Sequence, residues 1–150
     1  MISTPVAPVL PPSSMGPLDV ELLDVAQRLL LRVWRSGRHE VATALRTADA
    51  AVYTGVHVEG SCRRSSICAE GVALGTARAG LAWDSPLDVT SVVSVQVKPA
   101  GQFRIIAPCG VCRELISDYS PDAAIWVTAG ERVTAIRALD LLPEKTRRAW

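Results

Sequence analysis

Residues 55–75 have the sequence GVHVEGSCRRSSICAEGVALG, and two short motifs in this stretch compete for one role. His57-Val58-Glu59 and Cys68-Ala69-Glu70 each place a residue that can bind zinc two positions before a glutamate. In such an arrangement a metal ion can activate a water molecule while the glutamate takes the proton of that water. Which motif holds the metal depends on the rest of the chain.

Composition limits the classes of protein to consider. A chain of 150 residues suits one domain, and 16 Lys and Arg against 15 Asp and Glu leave a formal charge of +1. There is no long basic run, so the charge pattern of a nucleic-acid-binding protein is missing, and a small molecule is the better partner. No apolar run is long enough to span a bilayer and the N-terminus lacks the pattern of a signal peptide, which predicts a cytoplasmic protein without membrane contacts.

The N-terminal segment differs from the rest of the chain. Residues 1–17 contain five of the ten prolines together with several serines. Proline cannot donate to a backbone ladder, so this segment is expected to be a flexible arm. Residues 18–150 are expected to form the one folded domain.

Hydrophobic periodicity predicts the order of helices and strands in that domain. The predicted elements are a helix at 19–36, a hairpin at 40–59, a helix at 66–80, a strand at 89–97, a helix at 109–119, and two antiparallel strands at 123–128 and 132–136. The resulting fold class is α/β, a three-layer α/β/α sandwich with a mixed five-stranded sheet.

The four cysteines are expected to be reduced, as metal ligands or buried thiols. Cys109 and Cys112 form a Cys-x-x-Cys motif, which alone could be a redox pair, half of a structural zinc site or chance. Cys68 also falls near a helix start, so two helix N-termini could bring three thiolates to one ion. Three protein ligands leave the fourth position of a zinc ion for water, whose pKa is lowered towards about 7. Glu70 could then take a proton from that water.

Two segments carry a resemblance to a known family. VHVEGSCRRSSICAEGVALGTA (56–77) followed by APCGVCRELI (107–116) resembles the cytidine deaminase family, and AEGVALGTA with LLP (141–143) is similar to its blasticidin S deaminase branch. The resemblance extends from about residue 20 to 143. It implies a cytidine deaminase-like fold, one Zn²⁺ per chain held by Cys68, Cys109 and Cys112, Glu70 as the catalytic proton shuttle, and a homotetramer.

The resemblance also assigns the first motif to substrate binding. His57 and Glu59 occupy the position of the family's Asn-x-Glu motif, which binds the sugar of the substrate. Their spacing of two residues puts both side chains on one face of a strand. Ala69 is assigned to substrate binding as well, and His39 falls where the family has an aromatic residue near the pyrimidine. Alternatives remain open: His57 as a half-buried histidine bonded to Glu59, His39 as a surface histidine, and Cys62 as a fourth ligand that closes a structural site.

The chain departs from the family pattern in two places. Gly71 stands where members of the family usually have an arginine that partly neutralises the negative charge of the thiolates. The helix N-termini and Arg113 are expected to neutralise that charge here. His57 replaces the family's asparagine, and because an imidazole differs from an amide in shape, the pocket for the sugar is expected to differ from that of the family.

Three functions are therefore considered. The first is a zinc-dependent deaminase of cytidine, deoxycytidine or a modified cytosine nucleoside. The second is a deaminase of a nucleoside antibiotic such as blasticidin S, or of another amino-heterocycle. The third is a non-catalytic, zinc-stabilised binding protein.

Overall fold

The computed structural model describes residues 6–98 and 101–149, and the elements named below lie in these ranges. The helices and strands, in chain order, are α1 Pro17–Val33, β1 Val41–Thr47, β2 Val52–Val56, α2 Ala69–Gly80, β3 Val89–Lys98, β4 Gln102–Ile105, α3 Gly110–Tyr119, β5 Ala124–Ala129 and β6 Arg132–Arg137. Two short 3₁₀ turns, Arg63–Ser65 and Ala138–Leu141, complete the set.

The strands form one mixed sheet with the order β2-β1-β3-β5-β6. β3 and β5 are parallel, and the other neighbouring strands are antiparallel. The predicted count of five strands is wrong by one, because β4 adds a short hairpin partner to the end of β3. Gly101, which adopts a left-handed φ of +75°, lies in the turn before β4, and four residues of alternating burial are too few to stand out in the sequence.

Helices cover both faces of the sheet, as the sequence predicts for a three-layer α/β/α sandwich. α1 packs on one face through Leu22, Leu23 and Leu30, and α2 and α3 pack on the opposite face. β1 and β3 lie in the middle of the sheet and are buried along most of their length, since each is covered from both sides. Among the described residues, none of the helices has the length and apolar character that crossing a lipid bilayer requires.

Two helix boundaries differ by three residues from the predicted ones. α1 ends at Val33 because the chain becomes extended at Trp34, and Gly37, with a φ of +70°, belongs to the turn that follows. α2 begins at Ala69 and not at residue 66. Ile67 instead pairs with Val58 in an isolated antiparallel bridge, which keeps the chain extended up to Cys68.

Part of the segment predicted to be a flexible arm lies against the domain; its first five residues lie outside the described range. The backbone carbonyl of Ala7 accepts a hydrogen bond from Phe103, and the Val9 amide donates to the Gln27 side chain. Met15 is buried in the core under α1. The prolines prevent a regular series of backbone hydrogen bonds. Burial of the apolar residues between them is still favourable, because it removes apolar surface from water.

Candidate active site

Three cysteine thiols meet at the N-termini of α2 and α3. Cys68 precedes the first residue of α2, Cys109 precedes that of α3, and Cys112 lies in the first turn of α3. Their Sγ atoms all lie within 4.8 Å of one another, and those of Cys68 and Cys109 are 3.5 Å apart. Zinc–sulfur bonds of about 2.3 Å in a tetrahedral site put two sulfurs roughly 3.8 Å apart. The three thiols therefore fit a zinc ion.

The protein environment opposes the ionisation of two of these thiols. Burial, followed by the neighbouring Cys109 thiol, raises the pKa of Cys68 to about 11. Burial, followed by the negative charge of Glu70, raises the pKa of Cys112 well above its ordinary range. A divalent cation would reverse this balance, because it binds thiolates and not thiols.

Cys109 behaves differently because it is the most exposed of the three and backbone N–H groups of α3 favour its charged form. Burial opposes its ionisation, but the backbone N–H of Cys112 and the Cys68 thiol outweigh burial and hold the pKa of Cys109 below its ordinary value. Amide groups at a helix N-terminus favour negative charge in this way.

The expectation that Arg113 neutralises the thiolates needs a correction. Its Nε donates to the carbonyl of Pro108 at 2.9 Å, and one Nη donates to the carbonyl of Leu141 at 3.3 Å. Through these two bonds Arg113 braces the loop that leads into Cys109.

Glu70 lies beside the thiol cluster in the first turn of α2. It is 4% exposed, and its Oε2 is 3.6 Å from the Cys112 Sγ. Its Oε1 accepts a hydrogen bond of 3.0 Å from the Ser94 hydroxyl, which in turn is 2.7 Å from the Thr43 hydroxyl. The sequence reasoning missed Ser94 and Thr43, although each is a hydroxyl in a strand that is otherwise largely apolar.

His57 and Glu59 follow the end of β2 and form a polar cluster with Ser66. The His57 Nε2 is 3.1 Å from one carboxylate oxygen of Glu59, and the Ser66 hydroxyl donates to the other oxygen. The hydrogen bond from the Ser66 hydroxyl is the main cause of a lowered pKa of Glu59, and the contact with His57 adds to it. The His57 Nδ1 is buried and has no hydrogen-bond partner among the described residues. Both oxygens of Glu59 thus have partners within the protein.

Ala69 and His39 complete the set of predicted site residues. Ala69 is fully buried as the first residue of α2, between Cys68 and Glu70. The His39 ring lies behind His57, since its Nδ1 is 2.9 Å from the His57 carbonyl oxygen. Because a carbonyl oxygen can only accept, Nδ1 carries the proton and His39 supports the end of the hairpin.

A close approach between β2 and α2 brings the two halves of the site together. A Cβ atom at Gly55 would lie 2.3 Å from the carbonyl oxygen of Ala69 and 2.4 Å from the amide of Ala73. Glycine at this position allows the strand that leads to His57 to pack directly on the helix that carries Glu70.

Cys62 does not join the cluster. Its side chain is exposed, and the group of metal-type ligands in the part of the chain that the structure describes consists of Cys68, Cys109 and Cys112. The geometry thus supports three protein ligands and not a closed site with four cysteines.

Comparison with known proteins shows which proteins this chain resembles. No model of a protein family matches the chain. A blasticidin-S deaminase from Bacillus cereus is 31% identical over 134 residues, which cover 87% of this chain and 93% of that protein.

Solved structures of cytidine deaminases have a fold similar to that of this chain. The cytidine deaminase from Burkholderia pseudomallei is 27% identical with a TM-score of 0.69, covering 88% of this chain and all of that one. The cytidine deaminase from Mycobacterium leprae, 22% identical, has the same fold with a TM-score of 0.68 over 87% of this chain and all of its own. The resemblance seen in the sequence is thereby confirmed, and the chain belongs to the cytidine deaminase family.

Proposed function

We propose that this protein is a zinc-dependent nucleoside deaminase that removes the 4-amino group of a cytosine nucleoside, giving the uracil product and ammonia. The observation that carries the proposal is the cluster of three thiols beside the buried carboxylate of Glu70, in a chain of the cytidine deaminase family. A purely structural metal site would have no use for a buried carboxylate that is not one of its ligands.

Cys68, Cys109 and Cys112 would hold the zinc ion. When bound, zinc with three protein ligands supplies a Lewis acid that makes water acidic enough to lose a proton near neutral pH. The two helix N-termini would stabilise the thiolates, since Arg113 is engaged with carbonyl groups.

Glu70 would be the catalytic residue that moves protons. Its Oε2 faces the thiol cluster, so this atom would accept the proton of the attacking water and pass it to the ring nitrogen and the departing amine. The low exposure of Glu70 keeps bulk water from competing for that proton.

The cluster at the end of β2 would bind the part of the substrate beyond the base. Glu59 would accept from a hydroxyl group, while His57 would shape the wall beside it. The predicted contact of Ala69 with the substrate would need exposed surface that this fully buried residue does not have in the single chain. His39 would hold the His57 backbone in place.

A nucleoside antibiotic such as blasticidin S, or another amino-heterocycle, is the second candidate substrate. Its support is the blasticidin-S deaminase relative together with the altered sugar subsite. The family asparagine offers a donor and an acceptor to a hydroxyl, whereas the Nε2 of His57 is engaged with Glu59 and its Nδ1 is buried. A substrate group other than a plain ribose hydroxyl would suit this arrangement.

One experiment tests the function and separates the candidates. The purified protein is analysed for zinc and assayed for ammonia release from cytidine, deoxycytidine, blasticidin S, adenosine and guanine. We expect one zinc per chain and turnover of at least one cytosine nucleoside. A strong preference for cytidine would exclude the second candidate, and zinc without ammonia from any compound would favour a non-catalytic binding protein.

We further propose that the protein is a homotetramer. Three apolar side chains near the thiol cluster are exposed in the single chain, namely Val58, Ile67 and Val111. Large apolar side chains that are exposed in a single chain are common at subunit contacts. Light scattering would give the mass of the assembly, and a monomer at micromolar concentration would contradict the proposal.

A further inference from the structure

Two hydroxyl groups lie behind Glu70 on the central pair of strands. Thr43 of β1 and Ser94 of β3 are direct partners in the antiparallel register, and their oxygens are 2.7 Å apart. Thr43 is 0% exposed and Ser94 is 3% exposed. A buried hydroxyl is costly without a hydrogen bond, so both need partners.

The direction of the hydrogen bonds follows from the chemistry of the three groups. The Ser94 hydroxyl donates its single proton to Oε1 of Glu70 at 3.0 Å. The Ser94 oxygen must then accept, and Thr43 is the donor. The result is a series of hydrogen bonds that runs from Thr43 through Ser94 to Glu70. Successive hydrogen bonds of this kind strengthen one another in a low-dielectric interior.

The second oxygen of Glu70 has a different kind of neighbour. Its Oε2 is 3.6 Å from the Cys112 sulfur, which can donate only as a thiol. The bond from Ser94 therefore fixes Oε1, while Oε2 faces the thiol cluster.

We propose that Ser94, oriented by Thr43, is the positioning residue that holds Glu70 with Oε1 fixed and Oε2 directed at the reacting groups. The inference rests on the proposed deaminase function, because it concerns the residue that moves protons there. It also explains why serine interrupts the run of valines in the middle of β3.

Kinetics of paired variants test the proposal. Ser94→Ala is expected to lower kcat about 10- to 100-fold, because outer partners of a site have effects of this size. KM should change by less than about twofold, since ground-state binding is unaffected. The zinc content should stay at one ion per chain.

Two substitutions of Thr43 form a matched pair, because one removes the hydroxyl group and the other keeps it. Thr43→Val removes the hydroxyl and keeps the volume, so kcat should fall, whereas Thr43→Ser keeps the hydroxyl and should retain the kcat of the unmodified protein. Because Thr43 acts through Ser94, adding Thr43→Val to Ser94→Ala should cause no further loss.

Ser91 is the control on the same strand. It is buried on the opposite face, and its hydroxyl has no hydrogen-bond partner within the described part of the chain. Ser91→Ala should leave kcat unchanged, whereas a general weakening of β3 would lower the activity of both serine variants.

A crystal structure of Ser94→Ala adds a readout that does not depend on turnover. We expect the Glu70 carboxylate to leave the position it has in the unmodified protein. If the unmodified protein releases no ammonia, the proposed function fails, and displacement of Glu70 would still support the positioning role. An unmoved carboxylate, a kcat within twofold of the unmodified value, or a loss of zinc equal to the loss of activity would overturn it.

Discussion

Glu70 is a buried carboxylate surrounded by groups that become negative when they ionise. Three thiolates and one carboxylate in so small a volume would repel one another unless a cation were present. Groups held in such unfavourable surroundings are typical of functional sites. The burial of Glu70 therefore favours a catalytic zinc site over a structural one.

The first prediction concerns Glu70 itself. Glu70→Gln keeps the shape of the side chain but cannot accept and return a proton, so the turnover of cytosine nucleosides should fall by about 10²- to 10⁴-fold. Zinc content and melting temperature should remain close to those of the unmodified protein. Full turnover by this variant with zinc bound would contradict the proposed mechanism.

The second prediction concerns the pKa of Glu59. The Ser66 hydroxyl is the largest contribution to the lowered pKa of Glu59, so Ser66→Ala should raise this pKa towards its ordinary value. In the unmodified protein the carboxylate stays charged to lower pH, and its favourable contribution to folding is present above the unfolded pKa and lost as pH falls through the folded one. A ¹³C NMR titration of the side-chain carboxyl measures the shift.

Ser65 provides the control for this titration. Its hydroxyl donates to the carbonyl of Cys62 and not to Glu59. Ser65→Ala should leave the Glu59 titration unchanged. Equal shifts in both variants would show that the loop as a whole, and not the Ser66 hydroxyl, sets the pKa.

The contact between β2 and α2 determines how the two halves of the site meet. Gly55 lets the strand approach backbone atoms of the helix, and the strand then continues into His57 and Glu59. The helix begins one residue after Cys68. A small outward shift of α2 would therefore separate the thiols and displace Glu70 at the same time.

The third prediction tests this contact. Gly55→Ala places a methyl group against backbone that cannot rotate away, so the free energy of unfolding should fall by about 1–3 kcal/mol. Zinc affinity should fall with it, because the first turn of α2 must move. Thermal unfolding and zinc titration measure the two effects.

Gly75 is the matched control in the same helix. A Cβ at Gly75 would have no atom within 4 Å, so Gly75→Ala should be neutral or stabilise the protein by up to about 1 kcal/mol. Destabilisation by Gly75→Ala, or a neutral Gly55→Ala, would contradict this account of the packing.

Local sequence patterns predicted most of the elements, and their failures have physical causes. α1 has helical periodicity, α2 is rich in Ala and Leu, β3 is an almost continuous run of β-branched residues, and the Cys-x-x-Cys motif marks a helix start. The start of α2 was predicted too early because the bridge between Val58 and Ile67 is a tertiary contact. The hydrogen bonds of Ser94 and Thr43 depend on strand register, which no local pattern reveals.

The whole molecule is needed to assemble the thiol cluster. Cys68 and Cys109 are 41 residues apart in sequence, and they meet because β3 carries the chain across the sheet between the two helices. The unfolded chain has no such preformed site, so a metal ion binds the folded state in preference.

The fourth prediction follows from that preference. Removal of zinc by a chelator should lower the melting temperature by roughly 8 °C when the free metal had been at about a hundredfold its dissociation constant. Cys109→Ser should show the same loss without a chelator. Cys62→Ser, at an exposed thiol outside the cluster, should keep both zinc and stability, and a stability that chelation does not change would contradict a bound metal.

The position of the thiols along the chain has a further consequence. A metal ion held by Cys68 and Cys109 closes residues 68–109 into a ring that contains α2, β3 and β4. By analogy with a disulfide, closing a loop of this length removes about 4 kcal/mol of conformational freedom from the unfolded chain. The central strand of the sheet would then lie inside a closed loop, so an ion bound for the chemistry would also limit how far the middle of the molecule can come apart.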